Sequence, residues 1–279
     1  MQMGEIEIKA FAAEHLEAAV RLSREAGWPH RPEDWQVAQQ LSEGVVATEE
    51  NGNVVGTALV TPYGSDCATI NMVIVDSAMR GRGLGRRLMD AALAIGGARP
   101  LRLIATSDGL PLYEKLGFRQ TGTILQHQGI VASARSSANT QAATADDLSA
   151  ITALDRQAFG ADRTALLHRL FEIGEFAVIR NGSEITGFAC IRAFGRGEVI
   201  GPVVAGNLED AQSLVSHFLA QRIGSFVRVD TIAAAGLAPW LSEHALSHVG
   251  GGIAMSRPFS IQSAASTATT FALANQALG

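Results

Sequence analysis

Residues 70–93 read Ile70-Asn-Met-Val-Ile-Val-Asp-Ser-Ala-Met-Arg80-Gly-Arg-Gly-Leu-Gly85-Arg-Arg-Leu-Met-Asp-Ala-Ala-Leu93. The apolar run 70–75 is rich in β-branched residues, which predicts a buried strand. Three glycines follow within residues 81–85, and behind them apolar residues recur every three or four positions as far as Ile95. That spacing predicts an amphipathic helix. The segment is therefore predicted to form a strand, a glycine turn and a helix.

The glycine turn has the features of an anion site. A helix start carries unpaired N–H groups and the positive end of the helix dipole, and glycine lets a ligand approach that backbone closely. Phosphate is the anion such a site most commonly binds. Four arginines add positive charge to the same segment: Arg80, Arg82, Arg86 and Arg87. Spacing alone leaves an ordinary strand-to-helix turn with a basic surface as the alternative.

Two common phosphate motifs do not fit this turn. It lacks the Gly-Lys-Ser/Thr ending of a nucleoside triphosphate loop and the Gly-x-Gly-x-x-Gly spacing of a dinucleotide-binding turn. The next predicted strand, 101–105, runs into Thr106 and Ser107, so no acidic residue stands where a dinucleotide-binding fold would hold a ribose. Both ligand classes are therefore disfavoured.

A third motif fits better. Arg80-Gly-Arg-Gly83-Leu-Gly85 resembles motif A of the GNAT superfamily of N-acetyltransferases, which reads Gln/Arg-x-x-Gly-x-Gly/Ala. Residues 109–118, Gly-Leu-Pro-Leu-Tyr113-Glu-Lys-Leu-Gly-Phe118, are similar to motif B of that family, a short helix that closes on Gly-Phe. The two motifs stand in the family's order, and the resemblance covers residues 5 to about 131.

The resemblance implies an α/β (α+β) fold with a mixed, mostly antiparallel central sheet flanked by helices. It further implies that the backbone of the turn holds the pyrophosphate of acetyl-CoA. The pantetheine arm would pair with the splayed edge of strand 72–75, where a backbone N–H near Val73 would face the thioester oxygen. The expected cofactor-binding residues are Met72, Val73, Ile74, Val75, Arg80, Gly81, Arg82, Gly83, Leu84, Gly85 and Arg86.

The resemblance also makes Tyr113 the expected catalytic acid for the departing thiolate. An amine acceptor must lose a proton, and the sequence leaves open which side chain takes it. The candidates are Glu25, His30, Glu33, Asp34 and Asp66, with Asn71 able to orient a water instead. Because the connection between the first two helices often lines the acceptor pocket in this family, the predicted substrate-binding residues are Trp28, His30, Asp66 and Asn71.

The remaining elements follow from local patterns. Helices are predicted over 12–26, 37–41 and 109–116, and strands over 5–10, 45–49, 53–60 and 101–105. Asn51-Gly52 predicts a hairpin turn between two of these strands. Residues 118–131 are predicted to form a final hairpin.

The second half of the chain repeats part of the first. At an offset of 131 residues, strands 45–49 and 53–60 match 176–180 and 184–191, and Asn51-Gly52 matches Gly182-Ser183. At the same offset the motif A positions fall on Ala211, Leu214 and Ser216, and the second half has no tyrosine. We therefore expect a tandem chain: a GNAT domain over 1–131, a linker over 132–145, a degenerate GNAT-like domain without a cofactor site over 146–260, and a tail over 261–279 that packs as a helix or stays mobile.

Composition narrows the partners and the location. The 279 residues are 47% hydrophobic and 18% charged, and the formal net charge of −5 makes nucleic acid an unexpected partner. No signal peptide, membrane span or metal-ligand spacing is recognised; His244 and His248 lack a third ligand. The two cysteines, Cys67 and Cys190, are expected to be buried packing residues of a cytoplasmic protein without metal.

Two classes of function are compatible with these motifs. The favoured one is an enzyme that moves an acetyl group from acetyl-CoA to a small-molecule amine in a ternary complex, with the second domain walling the acceptor pocket or positioning a partner subunit; a homodimer stays open. A non-catalytic acyl-CoA binding or sensing module is the alternative, and acetylation of protein amines ranks below small molecules. Fold-level analogy does not identify the acceptor.

Overall fold

The computed structural model describes residues 6–258 and 266–279. Within these residues the strands are β1 Glu7–Ala10, β2 Glu43–Thr48, β3 Val54–Tyr63, β4 Cys67–Val75, β5 Leu101–Ala105, β6 Arg119–Ile130, β7 Thr140–Ala142, β8 Gly174–Asn181, β9 Glu184–Phe194, β10 Gly197–Ala205, β11 Phe226–Ile232, β12 Ser247–Arg257 and β13 Thr269–Ala272. The α-helices are α1 Leu16–Glu25, α2 Pro32–Gln40, α3 Leu84–Gly96, α4 Leu110–Lys115, α5 Leu148–Phe159, α6 Thr164–Ile173, α7 Leu208–Ala220 and α8 Ala238–Glu243. In this part of the chain, no helix combines the length and apolarity that crossing a membrane requires.

All these strands join in one sheet with the order β1-β2-β3-β4-β5-β12-β6-β11-β13-β10-β9-β8-β7. Neighbours run antiparallel except for β4 with β5, and the additional pairing of β10 with β11 is also parallel. Helices pack on the sheet; α3, for example, buries Leu84, Leu88 and Ala92 in the core of the first half. The predicted α/β fold with a mixed, mostly antiparallel sheet is confirmed.

The two halves, 6–131 and 132–279, exchange their last long strands. Strand β12 of the second half lies between β5 and β6 of the first, and β6 in turn pairs with β11 of the second half. The predicted hairpin over 118–131 is wrong, because β6 is one strand of 12 residues. Strands β11 and β12 of the second half pair with its two edges, so β6 stays extended and does not pair with itself.

The predicted repeat is confirmed in strands β8 and β9, which stand in the second half as β2 and β3 stand in the first. Both connecting turns place a glycine in the left-handed region, Gly52 at φ 84° and Gly182 at φ 61°. Such a backbone favours glycine because it has no Cβ to clash. The turn residues and the two apolar runs were enough to find this unit.

Three segments differ from the sequence expectation. The predicted linker 132–145 includes β7. Helix α2 begins at Pro32, five residues before the predicted start at 37, because proline is well suited to the first turn of a helix. Part of the predicted tail, 261–265, lies outside the described residues. Beyond it the tail forms strand β13, which lies between β10 and β11. A tail of small residues pairs here because those two strands part and leave backbone groups open.

The end of the chain is held in the interface between the halves. Arg163 and Asp155 form an ion pair at 2.6 Å with both side chains fully buried, and Arg163 Nη1 donates to the backbone oxygen of Gly279 at 2.6 Å. The hydroxyl of Tyr63 donates to the carbonyl of Leu278. Side chains of both halves therefore fix the residues that follow β13.

We expect Arg163→Met to lower the free energy of unfolding by about 3–5 kcal/mol, because it leaves the Asp155 carboxylate buried without its partner. Arg156→Met is the matched control: its guanidinium pairs with Asp66 at 3.3 Å but is 60% exposed, so the loss should stay below about 1 kcal/mol. Urea unfolding of both variants measures the difference. Equal losses would contradict the role given to the buried pair.

Candidate active site

Strands β4 and β5 separate shortly after they begin to pair. They are paired at only two consecutive positions near the start of each strand. Further along β4, Met72 has a φ of 49°, and the register against β3 shifts at the same place. The Thr57 hydroxyl holds this bulge by donating to the Met72 carbonyl at 2.7 Å. Because a bulge bends its strand, β4 turns away from β5. The splayed strand edge expected from the sequence is confirmed.

A groove of about 660 Å³ opens where the strands part, beside the glycine turn; we call it the motif A groove. Gly81 and Gly83 have φ values of 75° and 77°, and a Cβ at either position would meet nothing within 4 Å. Gly83 starts α3 without a side-chain cap, so the first N–H groups of the helix have no competing side chain there. The predicted residues that line the groove are Val73, Ile74, Val75, Arg80, Gly81, Gly83, Leu84 and Gly85.

The arginines of the turn contribute less than the sequence suggested. Arg80 lines the groove and lies 3.7 Å from Asp108 in an exposed pair. Arg82 contacts the Met79 sulfur at 3.6 Å, and Arg86 pairs with Asp90 one helical turn away. Neither of these two predicted cofactor-binding residues lines the groove. Of the four arginines, Arg80 lines the groove, where its partner Asp108 lies as well, and the start of α3 adds the positive end of its dipole.

Tyr113, on α4, lines the motif A groove and also a second cavity. Its ring is 8% exposed, and burial raises the pKa of its hydroxyl to about 12, so at neutral pH the hydroxyl is a donor. A Cβ on residue 109 would lie 2.8 Å from the ring and clash with it, so glycine at this position leaves room for the ring. The predicted acid thus lies where two spaces meet.

The second space, about 260 Å³, lies between the halves, and we call it the interdomain cavity. Four residues line both this cavity and the motif A groove: Trp28, Val73, Thr106 and Tyr113. The first half adds His30, Asn71, Met72 and Gln126, and the second half adds Phe194, Arg196, Arg228, Asn275, Gln276 and Ala277. The motif A groove thus joins a smaller cavity at Tyr113.

Two family models match this chain. One, described as "Acetyltransferase (GNAT) family", matches residues 7–118, and the other, described as "Acetyltransferase (GNAT) domain", matches residues 151–267. The chain belongs to the GNAT acetyltransferase family. It is also similar to a Bacillus subtilis (strain 168) protein named uncharacterized N-acetyltransferase YitH, with 28% identity over 225 residues, which are 78% of this chain and 79% of that one.

Solved structures support a tandem GNAT fold. A Pyrococcus horikoshii protein assigned as an acetyltransferase matches with a TM-score of 0.83 at 19% identity and covers 100% of this chain and 98% of its own. A tandem GNAT protein from the clavulanic acid biosynthesis pathway matches with a TM-score of 0.63 at 16% identity, over 90% of this chain and 98% of its own. At these identities the likeness concerns the fold. The recognition of a tandem GNAT chain is confirmed.

Among the predicted base candidates of this GNAT chain, His30 is the one that lines the interdomain cavity. Its Nδ1 lies 3.3 Å from the Ser23 hydroxyl, and its ring is 5.6 Å from that of Phe194 in the second half. Burial lowers the pKa of His30 to about 4; Asp34 opposes that shift, and Arg228 and Arg192 add to it. The imidazole is therefore neutral at physiological pH.

Asn71 also lines the cavity and is 6% exposed. Its amide nitrogen donates to the Thr61 hydroxyl at 2.8 Å and to the Thr69 carbonyl at 3.2 Å. Its Oδ1 is buried, and none of the described residues hydrogen-bonds to it. Because the Thr69 carbonyl can only accept, the amide orientation is fixed and leaves an acceptor oxygen without a donor. A ligand N–H or O–H would satisfy it.

The other candidate bases do not line the cavity, and Asp66 and Asp34 have structural partners. Asp66 accepts from the Asp162 backbone N–H at 3.1 Å and pairs with Arg156, which joins the two halves. Asp34 pairs with Arg31 at 2.8 Å and accepts from the Gly195 backbone. The remaining two, Glu25 and Glu33, are exposed. The structure therefore gathers Trp28, His30 and Asn71 from the predicted substrate-binding set, without Asp66.

In the described residues of the second half, the features that build the motif A groove are missing. Helix α7, which corresponds to α3, starts at Leu208, so the repeat offset falls from 131 to 124 residues after β10. The helix start is capped by Asn207, whose side chain accepts from the Asp210 backbone N–H at 2.9 Å, and its first turn carries two acidic residues. Strand β13 lies between β10 and β11. The positions of the second half that correspond to motif A therefore lie seven residues earlier than predicted. The start of α7 still has no glycine turn like that of residues 81–85.

Sequence reasoning missed the cavity residues of the second half, above all Phe194, Arg196 and Arg228. No motif marks them, and their place depends on the exchange of β6 and β12 between the halves. Arg228 lies on β11, which pairs with β6. Gln126 of β6 lines the same cavity and lies opposite Asp230, two residues after Arg228. A pattern read along one half at a time cannot bring these side chains together.

Because the pKa of His30 is lowered in the folded chain, we expect the free energy of unfolding to depend on pH. Below about pH 6.5 the unfolded chain protonates this histidine, while the folded chain binds that proton only near pH 4. The contribution of His30 to the free energy of unfolding is therefore lost as the pH falls between those values. Between pH 7 and pH 5, the free energy of unfolding should fall by about 2 kcal/mol more in the parent chain than in His30→Gln. Urea unfolding at both pH values tests this. Parallel losses in the two proteins would contradict a buried neutral imidazole.

Proposed function

We propose that this GNAT chain is an N-acetyltransferase that moves the acetyl group of acetyl-CoA to the amine of a small molecule held in the interdomain cavity. The observation that carries the proposal is the position of Tyr113, which lines both the motif A groove and the cavity. In this proposal Tyr113 is the donor, and a thioester in the groove would meet an amine in the cavity beside it. The name of the Bacillus subtilis relative agrees with an N-acetyltransferase.

The motif A groove fits acetyl-CoA on structural grounds. The space in front of Gly81 and Gly83 is open, the start of α3 carries no side-chain cap, and β4 leaves β5 after two pairs, which frees its edge. We infer that the turn binds the pyrophosphate through backbone N–H groups and that residues 72–75 pair with the pantetheine arm. When bound, acetyl-CoA supplies the activated acetyl group.

Three side chains would act on the acceptor and the leaving group. A group with a pKa near 4 cannot deprotonate an alkylammonium, whose pKa is about 10.4, so the acceptor loses its first proton to water before it attacks. His30 then accepts the second proton, which becomes acidic as the C–N bond forms. Asn71 Oδ1 accepts from the amine and orients it. Tyr113 donates to the sulfur as the C–S bond breaks.

The shape of the site supports a small molecule over a protein amine. The interdomain cavity holds about 260 Å³ and has walls from both halves, including Phe194 and Gln276. A peptide would need an open channel along which its chain could leave on both sides. In this proposal the second domain serves as one wall of the acceptor site, and the cofactor groove lies in the first domain, which we place at residues 1–131.

We expect Tyr113→Phe to lower kcat about 100-fold while leaving the Kd of acetyl-CoA unchanged, because the phenyl ring keeps the packing and loses the donor. Thiol release from acetyl-CoA with a panel of amino acids, diamines and amino sugars measures kcat, and calorimetry measures Kd. Equal kcat in the variant and the parent would remove Tyr113 from the mechanism.

We expect Gly83→Asp to abolish acetyl-CoA binding, because it places a carboxylate at the proposed pyrophosphate site and strains a backbone with φ 77°. Gly52→Asp is the matched control: its φ is 84°, its Cβ also points into open space, and it lies in a distant hairpin turn. Calorimetry on both variants separates charge in the groove from backbone strain. Loss of binding in both, or in neither, would contradict the proposed groove.

A further inference from the structure

The interdomain cavity carries positive charge. Within residues 6–258 and 266–279 its lining contains Arg196 and Arg228 and no aspartate or glutamate. Asp230, behind the lining, pairs with Arg228 and offsets one of the two charges. Arg192, close enough to His30 to lower its pKa, adds a positive charge, and it shares the carboxylate of Asp34 with Arg31. The surroundings of the cavity are therefore net positive, which suits an anion.

Arg228 is held ready for a ligand. Its Nε donates to both oxygens of Asp230, at 3.0 and 3.2 Å, and its Nη2 donates to the same carboxylate at 3.0 Å. Its guanidinium carbon lies 5.3 Å from the centroid of Phe194. Asp230 is fully buried and also accepts from Gln276 Nε2 at 2.9 Å. An arginine fixed in this way loses little conformational entropy when it binds a carboxylate.

The same cavity holds a site for an amine. Asn71 Oδ1 is buried without a partner in the part of the chain that the structure describes, and His30 carries a neutral imidazole that can accept a proton. The His30 ring lies 5.6 Å and the Arg228 guanidinium carbon 5.3 Å from the Phe194 centroid, so the two groups are no more than about 11 Å apart. With a hydrogen bond of about 3 Å at each end, a small molecule can reach both.

We propose that the acceptor is a small amino acid, bound with its carboxylate on Arg228 and Arg196 and its amine at Asn71 and His30. This inference rests on the proposed function and names the class of its acceptor. A carboxylate also raises the basicity of His30 by offsetting the two nearby arginines, Arg192 and Arg228, that lower its pKa. Diamines and other polycations would add positive charge to a cationic cavity and bind poorly.

The first test compares matched acceptors by thiol release from acetyl-CoA. The panel contains the common α-amino acids and γ-aminobutyrate, their carboxamides, simple diamines, and glucosamine 6-phosphate. We expect kcat/KM for at least one amino acid to exceed that of its carboxamide more than 10-fold. Preference for diamines, for carboxamides or for the phosphate ester would overturn the carboxylate assignment while leaving the N-acetyltransferase intact. Acetyl-CoA binding with no acetylated amine would instead count against the proposed function.

The second test changes the arginines. Arg196→Gln removes an exposed guanidinium for which the described residues supply no carboxylate, and the double variant Arg228→Gln/Asp230→Asn removes the buried pair together, so no lone charge stays buried. We expect each to raise the KM of the preferred amino acid at least 10-fold, with the Kd of acetyl-CoA unchanged. Arg156→Gln, an exposed arginine of the same half, should have no effect.

Direct binding distinguishes failure of this inference from failure of the proposed function. Calorimetric titration with the amino acids of the panel, in the presence of CoA, needs no turnover. Binding that weakens in Arg196→Gln and in the double variant would support the carboxylate site even if catalysis were absent. An unchanged KM and Kd in both variants would overturn it.

Discussion

Strands β4 and β5 pair at only two positions before they part, and the rest of the site depends on that short pairing. The bulge at Met72, held by the Thr57 hydroxyl, bends β4 away and leaves backbone groups without a neighbouring strand. The parting opens toward the glycine turn as the motif A groove, and it meets the interdomain cavity at Tyr113. A chain with a continuous β4–β5 ladder would have neither the groove nor that meeting point.

The second half of the chain also has two parallel strands that part, but the space between them is occupied. Its strands β10 and β11 also part after a short parallel pairing, yet β13 lies between them and Asn207 caps the helix that follows. The backbone groups that the first half leaves open are here paired within the chain. The residues after β13 continue into the interface, where Gln276 joins the cavity wall. The space between β4 and β5 is thus open, whereas β13 occupies the space between β10 and β11. The residues that follow β13 form part of the cavity wall.

Much of the first half could be predicted because its signals are local. The glycines of 81–85, the Leu-Tyr helix around Tyr113 and the apolar runs of β2 to β5 each mark an element by their own residues. The exchange of β6 and β12 has no such signal, since any extended strand can take either partner, and the predicted hairpin over 118–131 was wrong for that reason. The cavity residues Arg196 and Arg228 follow from the exchange, so the sequence did not point to them. The predicted domain limits stay predictions.

The central claim is that the tandem chain has one working cofactor groove, in its first half. Calorimetric titration of the whole protein with acetyl-CoA, beside free CoA, NAD and ATP, tests it most directly. The account predicts one acetyl-CoA site per chain with micromolar affinity and no binding of NAD or ATP. Two sites per chain would contradict the filled second groove, and binding of neither CoA species would contradict the motif A groove itself.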